Sequence, residues 1–173
     1  MPKGEELDVV DNGDKIVGSS TIEECLASGA LHRAVAVVVV RSDGSIVLQR
    51  RSKSDAWQPG MWTLSCTGHV KKGESYAEAA ARELKEELGL VSQIRERGRY
   101  LIPPITDGEL TEREWVALYD SETDSGLRID TAELESADSF SRADVRSMMG
   151  KGKLTGDAEI LLTKYFESKT GRP

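Results

Sequence analysis

The chain has 173 residues, 38% of them hydrophobic and 31% charged, with a formal net charge of −7. That balance is ordinary for a soluble globular domain and excludes the disordered class; the longest apolar run, residues 34–40, falls far short of the roughly 20 residues a membrane helix needs. The acidic excess also argues against a grip on a nucleic-acid polymer, because phosphate backbones are held mainly by Lys and Arg.

The opening "MPKGEELDVVDNGDK" has no apolar stretch after its basic residue, so no secretory signal is expected and a cytoplasmic location is implied. Two apolar runs around Asn12-Gly13 predict a small hairpin, and "STIEECLASG" predicts a short helix capped by Ser20 or Thr21 and stopped by Gly29. Residues 1–30 thus read as an N-terminal extension of a single domain spanning 1–173. The continuous Val run in "LHRAVAVVVVR" predicts a strand buried on both faces, "SDGS" a turn, and "IVLQRRS" the returning strand. Further strands are expected in "MWTLSCTGHV", "RGRYLIPPI" and "REWVALYD". Two helices close the chain: "SRADVRSMM", between Ser141 and Gly150, and "GDAEILLTKYFES", with Ile160, Leu161, Tyr165 and Phe166 apolar. The fold class is therefore mixed α/β. Two cysteines, Cys25 and Cys66, are too few for a disulfide framework and are expected as thiols.

The stretch "GHVKKGESYAEAAARELKEELGL", residues 68–90, carries the chemistry. Ser75 and Glu78 have capping-box spacing, so a helix starts there; Ala77, Ala80, Ala81, Leu84 and Leu88 form an apolar stripe, and Gly89 ends the helix. Glu83, Glu86 and Glu87 stand at i, i+3 and i+4, where each like-charge pair costs about 0.2–0.5 kcal/mol on an isolated helix. A solvated helix face would explain them; a hard divalent cation, which favours carboxylate oxygens and shares its sites with substrate phosphates, explains them better.

Gly68, Glu74, Arg82-Glu83-Leu84, Glu86-Glu87 and Gly89-Leu90 together resemble the Nudix box at every defining position. The resemblance implies a Nudix fold, a mixed β-sheet sandwiched between α-helices, whose loop–helix–loop binds Mg²⁺ or Mn²⁺ and cleaves a small-molecule diphosphate. Carried over position by position, it makes Glu83, Glu86, Glu87 and the Gly68 carbonyl metal ligands. Arg82 then orients Glu86, and Glu74 braces the loop. Glu86, or a carboxylate from another loop, is the general base.

The stretch from His32 to Leu90, together with "EREW", also resembles type I isopentenyl diphosphate isomerase, a Nudix-fold enzyme that moves a double bond. In that family three histidines and two glutamates hold a second metal, and His32, His69, Glu112 and Glu114 match four of the five; the remaining position falls near Cys25. Plainer readings exist: half-exposed histidines at strand ends, and two glutamates on one strand face by period two. Arg50, Arg51 and Lys53 form a basic cluster suited to a diphosphate, and Arg51 matches a diphosphate-binding arginine, whereas Asp55 occupies that family's second basic position. Thr67 stands where the isomerase has its catalytic cysteine, and strand alternation predicts that the adjacent Cys66 packs on the opposite face with Leu64 and Trp62. Trp57, Trp62, Tyr76 and Tyr100 are either base-stacking or core residues. A complete box without that cysteine favours a hydrolase, ahead of an isomerase and of an inactive diphosphate-binding module. The oligomeric state, a homodimer included, stays open.

Overall fold

A computed structural model describes residues 4–55, 57–129, 131 and 134–170. The chain begins with β1 (Glu6–Val10) and β2 (Ile16–Thr21), paired antiparallel as the sequence suggests. The turn differs in detail. Asp14, not the Asn12-Gly13 pair, takes the left-handed conformation (φ 61°), and the Asp11 carboxylate fastens the loop by accepting the N–H groups of Gly13 and Lys15 at 2.8 and 3.1 Å. Next comes α1 (Ile22–Ser28), with Thr21 and Glu24 forming a capping box and Gly29 closing the end at φ 66°.

The central strand β3 (His32–Val40) is buried on both faces. Ala34, Ala36 and Val38 join one core cluster, and Val35, Val37 and Val39 the other. It is followed by β4 (Ile46–Arg51), β5 (Trp62–Thr63) and β6 (Cys66–His69). The run expected as one strand, "MWTLSCTGHV", is broken at Leu64 and Ser65. The fully buried Ser65 hydroxyl accepts the Val39 N–H at 2.7 Å and donates to the Val47 carbonyl, substituting for ladder bonds between β3 and β4. This break changes the register of faces. Cys66 is buried and turned away from Thr67, as expected, but it packs with Val35, Leu84 and Leu88, whereas Leu64 and Trp62 belong to the opposite cluster.

Helix α2 (Tyr76–Leu88) has the predicted Ser75–Glu78 capping box and ends at Gly89, φ 65°. Its apolar stripe needs correction: Tyr76, Ala79, Ala80, Leu84 and Leu88 are buried, while Ala77 and Ala81 are exposed. The helix is rotated so that Tyr76 enters the core, where its hydroxyl donates to Asp14 at 3.0 Å. Beyond it run β7 (Arg95–Leu101), the small hairpin β8 (Ile105–Asp107) and β9 (Leu110–Glu112), and β10 (Glu114–Glu122). Then follow β11 (Leu134–Phe140), α3 (Arg142–Met148) and α4 (Gly156–Thr170).

All strands except β8 and β9 belong to one mixed sheet. β10 runs parallel to β3, with Glu114 opposite His32, and β6 runs antiparallel to β3, with His69 opposite Ala34. One face packs against α2; the other packs against α3 and α4 through Val145, Met148, Ala158, Leu161, Leu162, Tyr165 and Phe166. Leu7, Ile22, Cys25 and Leu26 make a third, smaller cluster that seats α1. No described helix is long and apolar enough to cross a membrane.

Candidate active site

The ends of β3, β4, β6 and β10 open into a cavity of about 250 Å³ between α2 and α4. The glutamates of the 68–90 stretch line it from one side. Arg82 organises them: Nε and Nη2 donate to the two Glu74 oxygens at 2.9 Å each. Nη1 donates to Glu83 at 2.6 Å and Glu86 at 3.2 Å, and Nη2 also donates to the His69 carbonyl at 3.0 Å. Glu74 in turn accepts the Lys71 N–H at 3.1 Å, closing the loop on itself. Glu87 is buried and accepts the Thr67 N–H at 3.1 Å. A Cβ built on Gly68 would stand 2.2 Å from the Glu83 carboxyl carbon, so only glycine lets that carboxylate lie against the backbone.

Burial pushes Glu83 up to about 7 against the opposing hydrogen bond from Arg82. Burial and then the Glu83 charge push Glu87 up to about 8. Two carboxylates held in low dielectric, their charge only partly offset by Arg82, form a donor set that fits a divalent cation. The oxygen-only donor set, the glycine cradle and the partly compensated charge all fit Mg²⁺ or Mn²⁺.

A second group meets the first from the α4 side. His32 and His69 stand with ring centroids 5.2 Å apart, and the Nε2 atoms of both lie 3.5 Å from Glu114 Oε1. Glu112 Oε1 is 3.9 Å from His69 Nε2. Ligand atoms of His32, His69 and Glu114 fall within 4.8 Å of one another. The His32 Nδ1–H donates to the Ala30 carbonyl at 3.0 Å, which leaves the buried Nε2 without a hydrogen-bond partner and directed at the cluster.

Burial opposes the His32 charge, yet the Cys25 and Glu114 side chains outweigh it and hold His32 up at about 10. Burial and then the His32 charge bring His69 down to about 4. Burial and then Glu114 push Glu112 well above the carboxylate range; for Glu114 burial acts the same way, but His32 overrides it and keeps it low. Cys25, fully buried on α1, therefore sits against His32, in the region the sequence spacing suggested.

The basic residues separate. Arg51 lines the cavity; its Nε donates to the Trp57 carbonyl at 2.8 Å and its Nη2 to Asp55 at 2.7 Å, and Nη1 has no hydrogen-bond partner among the described residues. Arg50 instead reaches the Gly60 carbonyl and Glu135, and its guanidinium lies over Trp62; Lys53 also pairs with Glu135. Neither Arg50 nor Lys53 is among the cavity's lining residues. Thr67 and Trp57 line the cavity, Trp62 stacks edge-on against Phe140, and Tyr100 packs against the core. Sequence reasoning passed over two lining residues, Asp157 on α4 and Gln49 on β4. Gln49 follows the apolar run of β4 and carries no motif. Asp157 is visible in sequence only as an acidic residue in a helix's first turn.

A mixed sheet held between helices, with a glycine-cradled carboxylate helix at one end, defines the Nudix class of domain. The NUDIX domain profile matches residues 30–162, and the chain belongs to that family. It is 36% identical over 129 residues to a protein named as an uncharacterized Nudix hydrolase from Pseudomonas aeruginosa, covering 74% of this chain and 73% of the relative. It is 35% identical over 115 residues to an isopentenyl-diphosphate Delta-isomerase from Serratia proteamaculans, covering 66% and 64% respectively. Among solved structures, the crystal structure of DR0079 from Deinococcus radiodurans superposes with a TM-score of 0.75 at 23% identity, over 93% of this chain and 99% of that one.

Proposed function

We propose that the protein is a Mg²⁺- or Mn²⁺-dependent hydrolase that cleaves a diphosphate linkage in a nucleoside diphosphate derivative or similar small molecule. The observation that carries this reading is the convergence of Glu83, Glu86 and Glu87 on one cavity, with Gly68 and the Arg82–Glu74 brace in place. Gly68, Glu83, Glu86 and Glu87 would hold the cation, which neutralises diphosphate oxygens and lowers the pKa of a bound water. The remaining work falls to the chain itself. Arg82 keeps the carboxylates from swinging apart, and the Thr67 N–H fixes Glu87. The Nη1 of Arg51, without a partner among the described residues, would bind a phosphate oxygen. Glu86, the most exposed of the three glutamates, faces water and is the candidate base that takes the proton as oxygen attacks phosphorus.

An isomerase is the second reading, supported by the cluster of His32, His69, Glu112 and Glu114 in the same region. Two observations weigh against it: Thr67 occupies the cavity wall where that chemistry requires a thiol, and Cys66 faces α2. The deciding experiment is a panel of diphosphate compounds assayed with Mg²⁺ and Mn²⁺ for released phosphate and nucleotide, on wild type and on Glu86→Gln and Glu87→Gln. Cleavage that falls by at least about a hundredfold in both variants, with melting temperature unchanged or raised, is expected. Wild-type rates in both would remove the carboxylates from the mechanism.

A further inference from the structure

Two further charged side chains line the cavity from outside the carboxylate and histidine clusters: Glu5, just ahead of β1, and Lys71, in the loop between β6 and α2. The ammonium of Lys71 lies 2.8 Å from Glu5 Oε1. The backbone beneath it is fixed. Lys71 forms an antiparallel bridge with Leu7 and donates its N–H to Glu74 at 3.1 Å. The neighbouring N–H groups of Lys72 and Gly73 go to the Glu6 carbonyl at 2.8 Å and to Asp8 at 2.9 Å. β1 thus stitches down the loop that carries Glu74, and the adjacent lysines part company. Lys72 turns to the Glu6 carboxylate at 2.9 Å, away from the lining residues, whereas Lys71 borders the cavity.

Among the described residues, the Lys and Arg side chains lining the cavity are Arg51, Lys71 and Arg82, and the Asp and Glu side chains outnumber them. A diphosphate entering there needs every available N–H. Arg82 offers none: Nε bonds Glu74, Nη1 bonds Glu83 and Glu86, and Nη2 bonds Glu74 and His69, which engages each of a guanidinium's donors. Arg51 retains only Nη1. The ammonium of Lys71 carries several donors on a flexible stem, and its side chain is 42% exposed. Exposed Lys–carboxylate pairs contribute little to stability, so exchanging Glu5 for a more highly charged phosphate costs little. We propose that Lys71 is a substrate-binding residue: its ammonium leaves Glu5 and takes a phosphate oxygen of the diphosphate, with Glu5 as the competing anion that holds it between turnovers. The proposal rests on the diphosphate reading of the cavity and adds a second cationic contact to that of Arg51.

The test is calorimetric binding of methylenediphosphonate, a non-hydrolysable diphosphate, with Mg²⁺ present. Lys71→Gln should weaken it by about tenfold or more, Lys71→Arg by no more than about threefold, and Lys72→Ala by less than about twofold. Glu5→Gln should act in the opposite direction and tighten binding by roughly two- to fivefold; that gain should vanish when Glu5→Gln is combined with Lys71→Gln, because no ammonium is left to release. Mn²⁺ binding without the probe should be undiminished in Lys71→Gln, which separates a lost contact from a collapsed loop. The proposal is overturned if Lys71→Gln binds the probe as wild type does or loses Mn²⁺ along with it, if Glu5→Gln weakens binding or tightens it equally in the double variant, or if wild type binds no probe. Turnover of the diphosphate panel is followed in parallel. Binding that depends on Lys71 without any turnover would remove the hydrolase reading alone; turnover whose KM is unmoved in Lys71→Gln would remove the role of Lys71 alone.

Discussion

At Gly68 the absence of a side chain lets the Glu83 carboxylate lie against the backbone. An alanine Cβ there would stand 2.2 Å from the Glu83 carboxyl carbon and from its Oε1, and it is the flexible end of Glu83 that would have to yield. Because it is a side chain and not backbone that must yield, Gly68→Ala should cost little stability beyond the Arg82–Glu83 hydrogen bond but displace a proposed ligand, and misplacements of about 1 Å at a reacting centre cost on the order of a hundredfold in rate. Turnover and melting temperature measured together check this: a variant that loses both equally would point to a folding role for the glycine. At this scale the motif residues were legible in the sequence, because Arg82, Glu74 and the three glutamates sit at spacings that one helix and one loop determine. Their individual states were not. Glu87 is buried and Glu86 exposed although both lie on α2, since β6 covers one and water the other. Arg51 points into the cavity while its neighbour Arg50 on the same strand turns to Gly60 and Glu135, as successive strand residues face opposite sides.

Among the elements, α2 carries its own start and stop signals, and both were readable from Ser75, Glu78 and Gly89. Gly89 has φ 65°, and a Cβ there would lie 2.8 Å from the Arg128 side chain. Gly89→Ala should therefore destabilise the fold by roughly 1–2 kcal/mol in urea unfolding, from left-handed strain and the contact together; an unchanged midpoint would mean the helix end relaxes freely. What the sequence hid was of two kinds. β8, β9 and β11 are short or rich in Ser, Asp and Glu, so neither alternation nor apolar runs marked them. The break at Ser65 defeats strand alternation because the hydroxyl, a tertiary partner of Val39, interrupts the ladder. That break matters for chemistry, since it sets Cys66 against Glu87, where burial and then the Glu87 and Glu83 charges push its thiol well up. The protein should accordingly fail to exchange allylic protons of isopentenyl diphosphate with deuterium under Mg²⁺ or Mn²⁺. Exchange by wild type that vanishes in Cys66→Ala, followed by NMR, would show the thiol reaching substrate.

Over the whole molecule, acidity is concentrated in one place: a chain of net charge −7 directs many of its carboxylates into a single cavity. Glu83 and Glu87 titrate near 7 and 8 in the folded state against an ordinary value of 4.5. Their protonated forms are thus favoured by folding, the stability they contribute is complete below about pH 4.5, and it is lost as pH rises through 7 and 8. Without divalent cations the melting temperature should fall between about pH 5 and 8, by the equivalent of a few kcal/mol at most. With millimolar Mn²⁺ the fall should shrink, because a ligand of the ionised form replaces the protons. Scanning calorimetry at both pH values with and without Mn²⁺ decides it; a metal-independent pH profile would mean that these buried carboxylates bind protons but no cation. The parallel pairing of β10 with β3 has a kinetic consequence as well. Glu114 comes opposite His32 only when the long stretch of chain between them has closed, and non-local parallel pairings are slow to form. In refolding, α2 and its capped ends can assemble early from local contacts, while the histidine–glutamate cluster exists only once β10 has docked. Were the cluster to bind Co²⁺, its absorption signal would rise with the slowest refolding phase, after most of the far-ultraviolet helical signal has returned.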